Sequence, residues 1–254
     1  MLRDSGKSPG SFEPLHRFKE YVSFTPSEVK EIQALGDKPI VLPRSSVIRE
    51  QEVIPTCFFI LLDGWASSSV EFENGDRQIT KVHLPGDLMG APSASLAQTA
   101  DSLTALTRVV VSRIPLERFG QLFATRPRFA AAMFLSAQRE RVALIDALTR
   151  VGRTSSAEKL ASLMLDLYER LSAAGCAQEL QFELPLTQQE IGDILGISTV
   201  HVSRSFKEIE DLGLLKRAGR KIKILDLRSA SVFARWSHRP AASKFDWLID
   251  HDVS

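Results

Sequence analysis

The residues best suited to chemistry lie in one run of the C-terminal half, and that chemistry is recognition rather than bond making. Thr187 to Gly196 reads TQQEIGDILG. Thr187 and Glu190 have the spacing of a capping box. Ile191, Ile194 and Leu195 give one apolar face, and Gly196 suits the positive φ of a tight turn. Ser198 then caps a second run, STVHVSRSFKEIEDLG. Val202, Phe206 and Ile209 share one face of that helix at the 3.6-residue period. Val200, Arg204 and Lys207 lie opposite, with His201 beside them. In a major groove, arginine pairs with guanine edges and valine can touch a thymine methyl group. Thr187, Gln188, Ser198 and Thr199 fall near helix N-termini, where hydroxyls and amides suit phosphate oxygens. Two short capped helices joined by a glycine turn are the helix-turn-helix pattern.

The next segment bears on the same chemistry. Leu214 to Ile224, LLKRAGRKIKI, reads as a β-ribbon with a basic tip that includes Arg220 and Lys221. From Ser198 to Arg228 the cations are Arg204, Lys207, Lys216, Arg217, Arg220, Lys221, Lys223 and Arg228, against Glu208, Glu210, Asp211 and Asp226. That local excess is the electrostatic footprint of a DNA-binding face. The competing reading is two surface helices with solvated charges, and Glu208 and Asp211 on the outer face support it. These acids lie at the C-terminal end, away from the base-reading end.

Other elements must position this pair of helices. Thr25, Pro26 and Glu28 predict a short capped helix with Ile32 and Leu35 inward. From about Ile40 to Arg113, short β-rich runs alternate with turn signals: Asp63-Gly64, Asn74-Gly75 as a two-residue hairpin, and Pro85-Gly86-Asp87. Leu103 to Ile114 is a candidate strand pair. Such spacing predicts an antiparallel barrel or jelly roll. Pro127 to Val151 follows as a helix of about 37 Å. Ala130, Phe134, Ala137, Leu144, Leu148 and Val151, with Arg141 in the seam, step by four and three. The stripe is open to two readings, packing on its own domain or forming a two-chain seam, and its length favours the seam. Thr154 is expected to cap a helix through Ala174, with Leu160, Leu163, Leu167 and Leu171 inward. Glu179 to Leu184 reads as a strand. The tail from Ser229, with Trp236, Pro240 and Trp247, receives no role.

Bulk properties exclude several classes. The chain has 254 residues, a formal charge of +1 and only Cys57 and Cys176 as thiols. That suits two modest domains in a reducing, cytoplasmic setting, without a disulfide framework. Met1 to Pro14 is polar, reads as a disordered leader to about Ser11 and is no secretory signal. No stretch approaches the roughly 18 apolar residues of a membrane span. There is no phosphate-cradling glycine loop, HExxH or GxSxG, and the histidines have no obvious partners, so no enzyme is expected. His83, Met89, Cys57 and His16 are the only tempting haem ligands. An isolated histidine or cysteine on a strand is usually structural, and Cys57 reads as a buried, inert thiol. No cofactor or metal is expected.

The chain resembles the cyclic-AMP receptor protein/FNR superfamily over about Leu15 to Leu227. The resemblance rests on LTQQEIGDILGISTVHVSR, LGLLKRAGRKIKILD, the barrel turns and the long helix between them. It implies an α+β architecture: an N-terminal double-stranded β-helix (jelly-roll) domain over 12–126, a dimerisation helix over 127–151 and a winged helix-turn-helix over 152–228, followed by the tail 229–254. It also implies a homodimeric transcription activator or repressor that binds an inverted repeat in double-stranded DNA and engages RNA polymerase. Val200, Ser203 and Arg204 match the family's base-reading positions. The family often carries Glu where this chain has Val200, and a carboxylate can accept from cytosine where valine cannot. The candidate DNA-contacting set is Thr187, Gln188, Ser198, Thr199, Val200, His201, Ser203, Arg204, Lys207, Arg220 and Lys221.

The sensor segment departs from the family. Cyclic-nucleotide binders follow Pro-Gly-Asp with Gly-Glu for the ribose and Arg-Ser or Arg-Thr for the phosphate. Here the run is PGDLMGAPSASLAQTADSLTALT. Ala91 follows Gly90, no Arg or Lys occurs between Lys81 and Arg108, and Asp101 would repel a phosphate. Cyclic nucleotide is therefore not the expected effector, and the family's cysteine-rich cluster segment is missing. The alternative function is a ligand-binding or protein-interaction module whose helix-turn-helix does not read DNA.

Overall fold

The computed structural model describes residue 21 and residues 24–239. The leader to Ser11, His16, the side chain of Val151, Pro240 and Trp247 lie outside the described residues. Helix α1 (Pro26–Ala34) begins as its capping box predicts. The Thr25 hydroxyl accepts from Glu28 N, and Glu28 accepts in return from Thr25 N. Eight strands follow: β1 (Ile40–Leu42), β2 (Val47–Arg49), β3 (Cys57–Asp63), β4 (Ala66–Glu71), β5 (Arg77–His83), β6 (Leu88–Met89), β7 (Ser102–Ala105) and β8 (Val109–Pro115). They form two antiparallel sheets, ordered β1-β8-β3-β6 and β2-β7-β4-β5. Cys57, Phe59, Leu61, Met89, Leu103 and Val111 fill the space between them. Phe58 and Ile60 on the opposite face of β3 pack with Ile114 under Phe119, so β3 is buried on both sides.

Three local expectations are corrected here. The connection at Asn74-Gly75 is not a two-residue hairpin. Gly75 N bonds Phe72 O and Phe72 N bonds Asp76 O, leaving Glu73, Asn74 and Gly75 as a three-residue loop. A turn followed by a left-handed glycine (φ 84°) closes loops of this length. The segment Leu103 to Ile114 does yield two strands, yet they do not pair with each other. β7 pairs with β2 and β4 in one sheet, and β8 with β1 and β3 in the other. The strand expected over Glu179 to Leu184 is shorter, β9 (Gln181–Glu183), because Glu179 and Leu180 take left-handed backbone (φ 50° and 60°).

Helices α2 (Leu116–Thr125) and α3 (Pro127–Val151) carry the chain away from the roll. The first turns of α3 bury Phe129 and Ala132 against Ile32 and Leu122. Further along, its predicted stripe faces outward. Phe134 is 57 % exposed, Leu144 64 % and Leu148 74 %, and Ala137 and Arg141 are exposed too. Between Phe134 and Leu148 the stripe therefore does not pack on its own domain. Helix α4 (Ser156–Ala173) starts one residue later than expected. Ser155 is its cap, because Glu158 stands three residues after Ser155 and not after Thr154. Leu160, Leu167 and Leu171 of α4 are buried, and Leu163 is half-buried.

The remaining elements are α5 (Gln188–Leu195), α6 (Thr199–Asp211), the hairpin β10 (Leu215–Ala218) and β11 (Lys221–Ile224) with β9 on its outer edge, and α7 (Leu227–Phe233). Their apolar faces meet in one core with α4. That core continues without a break into Trp65, Ile79, Val82, Leu84 and Leu106 of the roll.

Candidate nucleic-acid interface

The helix pair α5–α6 is built by its caps and by one close approach. Thr187 and Glu190 form the predicted box, and Gly196 ends α5 in left-handed backbone (φ 65°). Gly192, unremarked in the sequence, is as important. A Cβ there would lie 2.6 Å from Ile197 O, so glycine lets the turn fold back onto α5. Ser198 caps α6, and its hydroxyl also lies 2.8 Å from His201 Nδ1. Val202, Phe206 and Ile209 anchor α6 in the core, as their spacing predicts.

This anchoring turns the opposite face outward. Val200 is 55 % exposed, and His201, Ser203, Arg204 and Lys207 are exposed around it. Gln188, Ser203 and Lys207 border one open groove with Glu210, Arg217 and Gly219, so α5, α6 and the hairpin share a single surface. Arg220 and Lys221 are exposed at the hairpin tip, and Ser198 and half-buried Thr199 stand at the start of α6. Three members of the set are engaged locally. The Thr187 hydroxyl and amide both bond the Glu190 carboxylate, and His201 is tied to Ser198. Arg217, one of the hairpin cations, is also engaged. Its guanidinium lies 4.7 Å over the Phe206 ring, and its backbone N–H donates to Glu210 at 2.7 Å, pinning the hairpin to α6.

Sequence reasoning missed the contacts that fix this unit on the roll. Arg44 pairs with Glu190 at 2.6 Å. Arg77 reaches Asp193 through Nε (3.0 Å) and Nη2 (2.6 Å). Gln78 Nε2 donates to the carbonyls of Asp193 and Ile194, at the C-terminal end of α5. The partners stand more than a hundred residues apart, so the only signal was the presence of Arg44 and Arg77 near strand ends. Glu190 thus serves the helix cap and the interdomain pair together. Its burial is offset by hydrogen bonds, as a buried carboxylate requires.

Inside the roll, Asp101 is not left as a bare negative charge, although no Arg or Lys occurs between Lys81 and Arg108. Strand β2 brings Arg49 to it. The two form a buried ion pair, and Ser93 Oγ donates to Asp101 at 3.1 Å. Arg49 lies so close to Gly90 that a Cβ there would meet Nη1 at 2.5 Å. Among the described residues, its Nε and Nη1 have no hydrogen-bond partner. The histidines are also better connected than expected. His83 Nε2 lies 2.8 Å from Ser68 Oγ, and Nδ1 lies 3.8 Å from Asp87. Ser, His and Asp in line suggest a nucleophilic relay, but all three are buried. Asp87 accepts from Leu84 N and from Arg170 of α4, so the line braces the Pro-Gly-Asp turn against α4. Cys57 is buried and free, and Cys176 is exposed. Among the described residues, no cluster of three or more His, Cys, Asp or Glu could hold a metal, and no helix is long and apolar enough to cross a membrane.

A β-roll joined by a long helix to a winged helix-turn-helix defines a class of DNA-binding regulators. Comparison with known proteins agrees. The profile of the cyclic nucleotide-binding domain matches residues 39–126, and that of the Crp-like helix-turn-helix domain matches residues 158–229. The nitrogen fixation regulation protein FixK of Bradyrhizobium diazoefficiens is 30 % identical over 80 % of this chain and 84 % of its own length. The transcriptional activator protein FnrA of Stutzerimonas stutzeri is 28 % identical over 71 % of this chain and 73 % of its own. The solved structure of FixK2 from Bradyrhizobium japonicum superposes with a TM-score of 0.70 at 20 % identity, covering 80 % of this chain and 98 % of that one. The chain belongs to the Crp/Fnr family of transcription regulators.

Proposed function

We propose that this protein reads an inverted-repeat operator in double-stranded DNA as a homodimer, with α6 in the major groove. The observation that carries this reading is the outer face of α6. Val200, Ser203, Arg204 and Lys207 stand together there, beside a groove whose other wall is a basic hairpin. Arg204 reads a guanine and Val200 a thymine methyl group. Lys207, Arg220 and Lys221, with Gln188, Ser198 and Thr199 near helix starts, meet phosphates. The exposed stripe Phe134, Ala137, Leu144 and Leu148 on α3 supports a parallel two-chain seam. Twofold symmetry then places half-site centres about 34–36 Å apart.

On this reading residues 12–126 are a sensor-like domain, 127–151 the dimerisation helix and 152–228 the reading domain. The roll does not take cyclic nucleotide, because Asp101 already occupies the cation that a phosphate would need. The protein is not an enzyme and works in the cytoplasm. The activator role in the name of FnrA favours contact with RNA polymerase.

Selection of bound duplexes from random DNA tests the proposal. An inverted repeat with a fixed half-site spacing is expected. A pool that shows no enrichment, even at low salt, would overturn it and leave a protein-interaction module.

A further inference from the structure

The described part of the tail is tied down in a way that the winged helix does not require. After α7, Arg235 takes left-handed backbone (φ 47°), and Trp236 N bonds Ser231 O, so the chain turns back. It then meets three acids in succession. Arg235 Nε lies 3.1 Å from Glu158, and His238 Nδ1 lies 3.0 Å from Glu169, both on α4. Arg239 crosses to the long helix α3, where Nε and Nη2 bond the two oxygens of Asp146 at 2.6 and 2.9 Å. The tail bonds thus bridge Gly152 to Ser155, the link between α3 and α4.

We propose that Arg239 is a positioning residue for DNA reading: with the reading domain already held on the roll, it ties that domain to the far half of the dimerisation helix, where the two chains meet. The inference rests on the homodimer and operator proposed above. A single exposed ion pair contributes little to global stability. A two-point guanidinium–carboxylate contact nevertheless restrains orientation as well as distance. Orientation is what a dimeric reader needs. Once one half-site is bound, binding of the second is intramolecular, with an effective concentration set by how stiffly the second reader is held. Loosening the tail leaves each reader intact and makes the pair less well preorganised. Asp146 lies off the exposed apolar stripe of α3, two positions beyond Leu144 and two before Leu148, so its replacement spares that stripe.

The test uses the full chain and two duplexes, one with the selected inverted repeat and one with a single half-site. Arg239→Ala and Asp146→Ala should each weaken binding to the full repeat by about threefold to tenfold and leave half-site affinity unchanged. Discrimination against a repeat with one base pair inserted at its centre should fall as well. The charge swap Arg239→Asp with Asp146→Arg should recover most of the loss. Equal weakening on both duplexes, or no weakening at all, would overturn the inference. So would a swap that recovers nothing, since the loss would then come from folding. If the wild-type protein binds neither duplex, the DNA-reading proposal itself fails; if it binds both and the variants match it, only the role of Arg239 fails.

Discussion

Arg204 leaves the outer face of α6 one turn after Val200, and its exposure leaves the guanidinium available to a partner. A two-point bond to guanine is worth about 1–3 kcal/mol of discrimination. Arg204→Ala should therefore weaken operator binding and relax preference at one position per half-site, read by binding to a panel of single-base operator variants. Arg220→Ala and Lys221→Ala should instead weaken all sequences alike and shallow the salt slope by about one unit per lost phosphate contact. A different test applies to Arg49 in the roll. Removing one partner of a buried pair costs about 3–5 kcal/mol, whereas replacing both by apolar groups of similar size can be neutral. Asp101→Ala should thus lower stability sharply in denaturant titrations, and Arg49→Met with Asp101→Leu should restore most of it. If the double variant is as unstable as the single one, the pair is not the source of the loss. Calorimetry on the wild-type chain should detect no tight binding of cyclic AMP or cyclic GMP.

At the scale of elements, the long helix gives the clearest expectation. Phe134→Asp with Leu144→Asp would place unpaired charge in the seam, and light scattering should then report monomer where the wild type reports dimer. A wild-type monomer at micromolar concentration would refute the seam. The start of α4 offers a pH test. The Ser155 backbone bond, together with the Ser155 hydroxyl and Arg235, holds Glu158 below the usual glutamate range, against the opposing effect of burial. An acid whose pKa is depressed on folding stabilises the fold above its unfolded-state pKa. That contribution is lost as pH falls through the lower folded-state value. Glu158→Gln should therefore lower Tm at neutral pH, where the ionised carboxylate stabilises the fold, and converge with wild type in acid.

These same elements mark how far sequence could be read. Capping boxes at Thr25 and Thr187, the glycine turn at 196 and the apolar period of α6 depend on residues within a few positions of each other, so they were legible. Ser155 was missed for Thr154 only because two candidate caps adjoin. The left-handed backbone at Glu179 and Leu180 had no glycine to announce it. Arg49–Asp101, Arg44–Glu190 and Arg77–Asp193 join residues that only the completed roll brings together. No local pattern encodes such pairs.

At the scale of the molecule, Trp65, Ile79, Val82, Leu84 and Leu106 share one core with α4, α6 and the hairpin. Two units joined by such a core should melt together. Calorimetry should show one transition, and Arg44→Ala should lower its midpoint without splitting it. Two resolved transitions in the wild type would show that the halves fold independently.

A chimaera that joined a foreign head to this body at the end of the long helix would cut through shared packing. A transplanted head would leave Trp65 and Leu106 facing an unfamiliar helix, and Arg44, Arg77 and Gln78 facing a surface without Glu190 and Asp193. A graft of 152–228 alone should express poorly and regain solubility only when those seven roll-side and head-side positions travel as a set. Retargeting is better attempted by changing Val200, Ser203 and Arg204 in place, since these three side chains lie on the outer face of α6 and their exposure leaves the joint untouched.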